Sequence, residues 1–321
     1  MDAAPDSAGG NAQQNAEPIV FFGTGPVAAR SLKALAENFT IEAVVTKPRA
    51  EHHRGEVPVL ELAEQLELPV VLVTSKKDVS ERVAAAKFKS RVAVLIDFGI
   101  IVEQKTIDLF PLGIVNSHFS LLPQWRGADP ITFSLLSGQS KTGVSLMLLT
   151  AGMDEGPLLA VAEIDLDSRA TGPGLTNHLI DLSVALIENV LPRYVAGKLA
   201  GKSQEEVAKA VGYSATPSYS RKLTKEDSVL DWKKPAAELE REIRAFKEWP
   251  KSRCLLGDHA VIITDASVAD GEGTPGTLWH GDKTLGVYCA EGVLMIERLK
   301  PAGKGEMSIA AFLNGYGKDL K

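Results

Sequence analysis

The sequence predicts an α/β protein with a doubly wound, mostly parallel sheet, followed by a small all-β unit. Three observations predict it. Between Pro18 and Gly201, short apolar runs alternate with helical stripes. Those runs are nearly continuous in apolar character, as strands covered on both faces are. Beyond Ser220 the pattern changes to short runs broken by Gly, Asp and Pro, the pattern of a small barrel or sandwich. A chain of 321 residues has room for two domains.

Taken in order, residues 18–22 read as a first strand and Gly23 to Pro26 as a turn. Val27, Ala28, Leu32, Leu35 and Phe39 then mark one face of a helix, with Pro26 suited to its first turn. Further strands are expected at 41–45, 70–73, 92–96, 114–116 and 144–149. Leu175, Leu179, Leu182, Leu186 and Val190 form a second helical stripe. From Gly201 to Ser220 the chain is polar and contains Pro217; it reads as an interdomain linker with some helical content. Leu239, Ile243 and Phe246 suggest one helix after it, and short strands follow at 261–264, 276–279, 285–289 and 293–299. The expected organisation is a disordered tail over 1–17, a first domain over 18–200, a linker over 201–221 and a second domain over 222–321. The sequence shows no internal repeat.

Composition narrows the function classes. With 45% hydrophobic and 24% charged residues, the chain has the make-up of an ordinary globular protein. No apolar run approaches the roughly 18 residues a membrane helix needs. Cys254 and Cys289 have neither metal-ligand spacing nor a disulfide framework, so buried free thiols in a reducing, cytoplasmic compartment are expected. Residues 1–16 lack Arg and Lys and any apolar stretch, which excludes a secretory signal or a transit peptide there. The net charge of −6 is uneven: residues 1–201 hold 17 basic against 23 acidic residues, and residues 202–321 hold 18 of each. A phosphate-binding face would have to come from clustering, for example Lys233, Lys234, Arg241, Arg244, Lys247, Lys251 and Arg253. Charge alone does not propose nucleic acid, and a solvated helix face accounts for much of that cluster.

The chemistry-bearing residues lie in two short segments. Asn116 and His118 end an apolar run and, two apart on a strand, share a face. Asp154 sits between glycines after a second apolar run. If both strands belong to one parallel sheet, their carboxyl ends bring the three side chains into one crevice. An amide and an imidazole supply donors for an oxyanion, and a carboxylate takes a proton from an attacking amine, so the set suits acyl transfer to an amine. With no Ser or Cys placed as an obvious nucleophile for the histidine, direct transfer is favoured over a covalent intermediate. Taken singly, His118 is consistent with an ordinary buried histidine and Asp154 with a turn residue. Gly23-Thr24-Gly25 and Ala28 compete with this reading, because they satisfy the dinucleotide fingerprint of a nicotinamide-dependent oxidoreductase. That fingerprint needs an acid at the end of the second strand, where Val45, Thr46, Lys47 and Pro48 stand instead; Glu42 comes too early. A tight turn without cofactor is the better reading. His52 and His53 are read as exposed loop residues and no metal is expected.

Residues 116–130, from Asn116 through Ser120, Pro123, Trp125 and Arg126 to Pro130, resemble the signature of the 10-formyltetrahydrofolate-dependent formyltransferases. Residues 152–156 are similar to that family's second motif. Residues 223–232, Ile243 to Phe246 with Trp249 and Pro250, and residues 299–304 with Met307 resemble the members acting on methionyl-tRNA. The resemblance runs from about Pro18 to the C-terminus.

It implies a Rossmann-like first domain, an OB-like barrel as the second, and formyl transfer from 10-formyltetrahydrofolate to initiator methionyl-tRNA. Carried over by position, the catalytic residues are Asn116, His118 and Asp154. Asn116 and His118 would hold the formyl oxygen, and Asp154 would relay the amine's proton. Ser120, Leu121, Leu122 and Pro123 match the segment that holds the donor. A monomer without membrane attachment is expected. Two departures stand out. The stretch from Pro48 to Glu56 is short and carries only Arg49 and Arg54, where tRNA-specific members have a long basic loop. Asp97 precedes Phe98 and Gly99 where the family has a small uncharged residue and tyrosine. The alternatives are formyl transfer to an amino-sugar nucleotide and, more remotely, a non-catalytic RNA-binding module or the oxidoreductase.

Overall fold

The computed structural model describes residues 17–49 and 56–320. The expected tail over residues 1–16, most of the short stretch from Pro48 to Glu56, and with it the pair His52 and His53, lie outside the described residues. Glu17, assigned to the tail, belongs to the fold: its carboxylate accepts bonds from Arg91 Nε (3.1 Å) and Nη2 (3.0 Å).

The chain runs β1 (Ile19–Phe22), α1 (Pro26–Asn38), β2 (Ile41–Thr46), α2 (Pro58–Gln65), β3 (Val70–Leu72), α3 (Lys76–Ala86), β4 (Val92–Leu95), α4 (Gln104–Ile107) and β5 (Ile114–His118). It continues with β6 (Arg126–Gly127), α5 (Pro130–Ser137), β7 (Lys141–Leu148), β8 (Leu158–Asp165), α6 (Gly172–Val195), α7 (Gln204–Val211) and β9 (Tyr219–Ser220). Last come α8 (Ala236–Ala245), β10 (Ser252–Leu256), β11 (His259–Ala269), β12 (Leu278–Gly281), β13 (Thr284–Tyr288), β14 (Val293–Pro301), β15 (Met307–Ser308) and α9 (Ile309–Tyr316). By its internal contacts the chain divides into two compact units. The first comprises residues up to His118 with 145–161 and 180–212; the second comprises 119–144, 162–179 and 213 onward.

In the first unit β1, β2, β3, β4 and β5 pair in parallel, within a sheet of order β3-β2-β1-β4-β5-β7-β8. The buried run Ile19 to Phe22 at its centre explains why β1 carries no polar residue. Phe22 packs edge-on against Phe98 (5.3 Å) and Phe110 (6.1 Å), filling the core beside Val20, Val45 and Ile114. One expectation fails here: β7 pairs antiparallel to β5, with Val115 opposite Leu148 and His118 opposite Ser145. An apolar run carries no sign of direction, so the sequence could not show the reversal. The carboxyl ends of β5 and β7 therefore lie at opposite ends of the pair, and a parallel crevice cannot explain how Asp154 meets Asn116.

The second unit carries an antiparallel sheet of order β10-β11-β14-β13-β12, with β15 added to β14. Its core is built from Leu239 and Ile243 of α8, alternate residues of the strands such as Val261, Ile263, Leu285, Leu294 and Ile296, and Phe312 of α9. Strand β10 was not expected, because Ser252 and Arg253 interrupt its apolar character. Cys254 and Cys289 are free thiols; burial pushes Cys254 up to about 12, and Cys289 upward as well. The stretch expected as a linker is ordered: it holds α7, closed by a Ser203–Glu206 capping box, and β9, which pairs with β6.

Just beyond β9, Asp227 accepts from Arg221 Nη1 (2.8 Å) and Nη2 (2.5 Å) and from Thr224 N (2.7 Å). Arg221 first, then Thr224, holds this carboxyl well below the usual carboxylate range. A depressed folded pKa means stabilisation that is present above the unfolded value of about 3.9 and lost as pH falls below it. Arg221 is largely exposed, so screening keeps the contribution at about 1 kcal/mol, or about 2 °C in Tm. Asp227→Asn is expected to lower Tm by that amount at neutral pH. The difference should shrink below about pH 4 in thermal melts; a constant difference through the acid range would contradict it.

Candidate active site

Strand β5 carries Asn116 and His118 on one face, both buried. Ser117, between them, turns the other way and bonds Ser183 Oγ of α6 at 2.6 Å, which ties the strand down from its opposite face. The Asp154 carboxylate stands between the two outward residues. Asn116 Nδ2 donates to Asp154 Oδ1 at 3.5 Å, and His118 Nδ1 lies 3.7 Å from Asp154 Oδ2. The His118 side chain is 7% exposed and that of Asp154 16%, so the carboxylate opens to solvent and the imidazole scarcely does. The three residues picked from the sequence therefore share one polar cluster within the first unit.

What brings Asp154 there is the loop that follows β7. Leu149 N bonds Ile114 O (2.8 Å) at the start of β5, and Leu148 N bonds Pro157 O (2.9 Å), so residues 149–157 close back on the end of β7. Asp154 turns at φ +51°, in the left-handed region that Asp tolerates better than most residues. Gly156 lies so close to the Leu148 carbonyl that any Cβ there would overlap its oxygen. Gln204 of α7 also reaches this loop, donating to Asp154 O at 2.7 Å.

Ser120, Leu121, Leu122 and Pro123 lie directly after β5, in the second unit. All four are buried. Ser120 Oγ donates to Gln124 O (2.6 Å), and Leu122 O accepts from Tyr213 Oη (2.9 Å). Trp125 N donates to Ser218 Oγ (2.9 Å), and Arg126 N to Ser218 O (2.9 Å). The 120–127 segment is thus gripped by residues 213–220, whose burial pushes the Tyr213 hydroxyl up to about 12 and keeps it a hydrogen-bond donor. Sequence reasoning missed Gln204, Tyr213 and Ser218. The 201–220 stretch read only as polar with some helical content; a polar residue that bonds a distant carbonyl leaves no periodic trace.

The competing fingerprint is filled by the protein itself. Thr24 N and Gly25 N both donate to Asp97 O (3.0 and 3.4 Å), and the Asp97 carboxylate lies against the Cα of Gly25 at the start of α1. The Asp97 carboxyl group occupies the place where a pyrophosphate would approach the helix N-terminus. Glu42 is engaged as well, accepting from Lys89 N (2.8 Å) and Ser90 N (2.7 Å).

The chain matches the model of the formyl transferase family over residues 17–191 and that of the formyl transferase C-terminal domain over residues 222–317. The chain belongs to the formyltransferase family. Among curated members, it is 35% identical over 302 residues to the methionyl-tRNA formyltransferase of Pseudomonas savastanoi pv. phaseolicola, covering 92% of this chain and 94% of that one. It is 36% identical over 293 residues to the methionyl-tRNA formyltransferase of Ectopseudomonas mendocina, covering 89% and 91%. Among solved structures, an N-formyltransferase from Helicobacter canadensis, in complex with folinic acid and dTDP-3-aminofucose, shares the fold with a TM-score of 0.65 at 17% identity. That match covers 87% of this chain and 97% of that one.

The basic cluster resolves into two groups. Lys234 pairs with Glu238 (3.1 Å) and Glu242, Arg244 with Glu240 (2.5 Å), and Arg241 Nε bonds Leu136 O (3.2 Å). Lys233, Lys247, Lys251 and Arg253 are not drawn into those pairs. Among the described residues, no group of three or more His, Cys, Asp or Glu could hold a metal, and no helix is long and apolar enough to cross a membrane.

Proposed function

We propose that this chain transfers the formyl group of 10-formyltetrahydrofolate to the α-amino group of initiator methionyl-tRNA. The observation that carries the reading is the Asn116, His118 and Asp154 cluster, in a chain 35% identical to a methionyl-tRNA formyltransferase across 92% of its length. In this reading Asn116 and His118 donate to the formyl oxygen, which gains negative charge as the amine nitrogen attacks the formyl carbon. A C–N bond forms, the bond from that carbon to N10 of the donor breaks, and tetrahydrofolate leaves. The attacking amine loses one proton, which Asp154 takes directly or through a water, and N10 gains one. No side chain is acylated on the way.

The residues present fit such a donor: two buried hydrogen-bond donors and a carboxylate converge within one cluster, as a carbonyl under attack by an amine requires. The segment Ser120 to Pro123 would hold the donor. Because its side chains are buried and the Leu121, Leu122 and Pro123 carbonyls are engaged within the protein, it would serve the ligand through the shape of the loop it holds. We read residues 18–200 as the catalytic domain, 201–221 as the connection and 222–321 as an OB-like tRNA-binding domain. The tRNA would be gripped chiefly through phosphates, with the salt dependence that implies. A cytoplasmic monomer completes the reading.

The test compares three acceptors with 10-formyltetrahydrofolate as donor: charged initiator methionyl-tRNA, elongator methionyl-tRNA and an amino-sugar nucleotide. Rapid formylation of the initiator tRNA, with no turnover of the sugar nucleotide, is the expected result. Turnover of the sugar nucleotide alone would keep the chemistry and overturn the acceptor.

A further inference from the structure

One side chain in the stretch that reads as a linker bears directly on the chemistry, an inference that rests on the formyl-transfer reading above. Gln204 opens α7 and is 6% exposed. Its place is fixed from both sides. Immediately before it, Lys202 forms a two-bond bridge with Leu158 (2.8 and 2.9 Å), while the Ser203 side chain accepts from Glu206 N (3.2 Å). From this anchored position Gln204 Nε2 donates to Asp154 O at 2.7 Å and to Gly156 O at 3.0 Å. One carboxamide thus binds the backbone on both sides of Glu155.

The first of those bonds falls on a strained peptide. Asp154 stands at φ +51°, and a non-glycine residue keeps such a conformation only where its surroundings over-determine it. The Asp154 carbonyl belongs to the peptide plane that defines ψ at Asp154, so holding the oxygen holds that dihedral. Relaxation there would swing the carboxylate relative to Asn116 and His118. Its contacts to Asn116 (3.5 Å) and His118 (3.7 Å) already lie at the outer edge of hydrogen-bonding range. The Gly156 carbonyl, held by the same amide, closes the other end of the turn. Both carbonyls are satisfied by a donor that water cannot readily replace at this depth.

We infer that Gln204 is a positioning residue for the reaction: it locks the left-handed peptide at Asp154 and so aims the carboxylate at Asn116 and His118. It does not touch substrate in this account. Its loss therefore moves turnover and the surroundings of the His118 ring, whereas a residue that merely packs would move stability alone.

The experiment uses the full chain with Gln204→Met, which keeps the length and the apolar stem and removes both N–H donors. The expected result is a fall in kcat of about 100-fold, of the size a small misplacement of a reacting group produces. KM for donor and tRNA should stay within about threefold, because neither binding surface is altered. The imidazole ¹⁵N signals of His118 should shift. Native kcat with native His118 signals would overturn the inference. If Gln204→Met does not fold, Gln204→Asn, which sets both donors one methylene short, carries the same test: reduced kcat at native Tm supports it, and native kcat overturns it. In the wild-type protein the Gln204 carboxamide protons should exchange slowly, and exchange at the solvent rate would also overturn it. A wild-type protein that formylates nothing counts against the function alone, since the His118 signals and the amide exchange still report on the link from Gln204 to Asp154.

Discussion

Asp154→Asn is expected to lower kcat for initiator methionyl-tRNA by about 10³-fold or more while leaving the fold intact. The substitution is isosteric, so the loop and the Gln204 bonds to its backbone are kept. What goes is the group that accepts the amine's proton, and general acid–base assistance contributes roughly 10²- to 10⁴-fold in rate. His118→Ala should cost about as much, because a single oxyanion donor contributes on the order of 10²- to 10³-fold. Single-turnover rates at saturating donor and tRNA, with Tm measured beside them, check both. Near-normal turnover in either folded variant would remove that residue from the chemistry.

The second large effect concerns a residue with no side chain. Gly156→Ala is expected to destabilise the protein by about 3–5 kcal/mol, the cost of overpacking against atoms that cannot move aside. The atom a Cβ would meet at Gly156 is the backbone carbonyl oxygen of Leu148, held in the pairing of β7, and not the flexible end of a side chain. Relief requires the loop to lift away from β7, which carries Asp154 with it. Turnover should therefore fall together with Tm, by about 10 °C on the usual scaling for a chain of this size. Gly303→Ala, where a Cβ would meet nothing within 4 Å, serves as the comparison, its strain arising from a φ of +71° alone. An unchanged Tm in Gly156→Ala would mean that the loop is looser than described.

Several features of the fold were open to reading in the residues. Ile19 to Phe22 announces a strand buried on both faces, Pro26 opens a helix that its fixed φ favours, and the spacing of Asn116 and His118 puts them on one face of β5. Other features depend on contacts between residues far apart in the chain. The run from Val144 to Leu149 looks the same whichever way the strand points, and its antiparallel pairing with β5 became visible only from the register. Ser252 and Arg253 disguise β10 because their neighbours in the sheet, and not their own character, make them strand residues. Gln204 and Tyr213 look like linker residues. Their function as donors lies in carbonyls that are 50 and 91 positions away. The fingerprint at Gly23 to Ala28 is the converse case: the missing acid after β2 set it aside in the sequence, but the contact that closes the turn comes from Asp97, more than seventy residues further on.

Direct transfer of the formyl group at the Asn116, His118 and Asp154 cluster can be followed by rapid quench. Enzyme in excess is mixed with formyl-labelled 10-formyltetrahydrofolate and charged initiator methionyl-tRNA, and label is followed in donor, protein and tRNA. Label is expected to leave the donor and reach the methionine amine at one rate, with none retained on the protein. Label that first accumulates on the protein, or never reaches the tRNA, would contradict it.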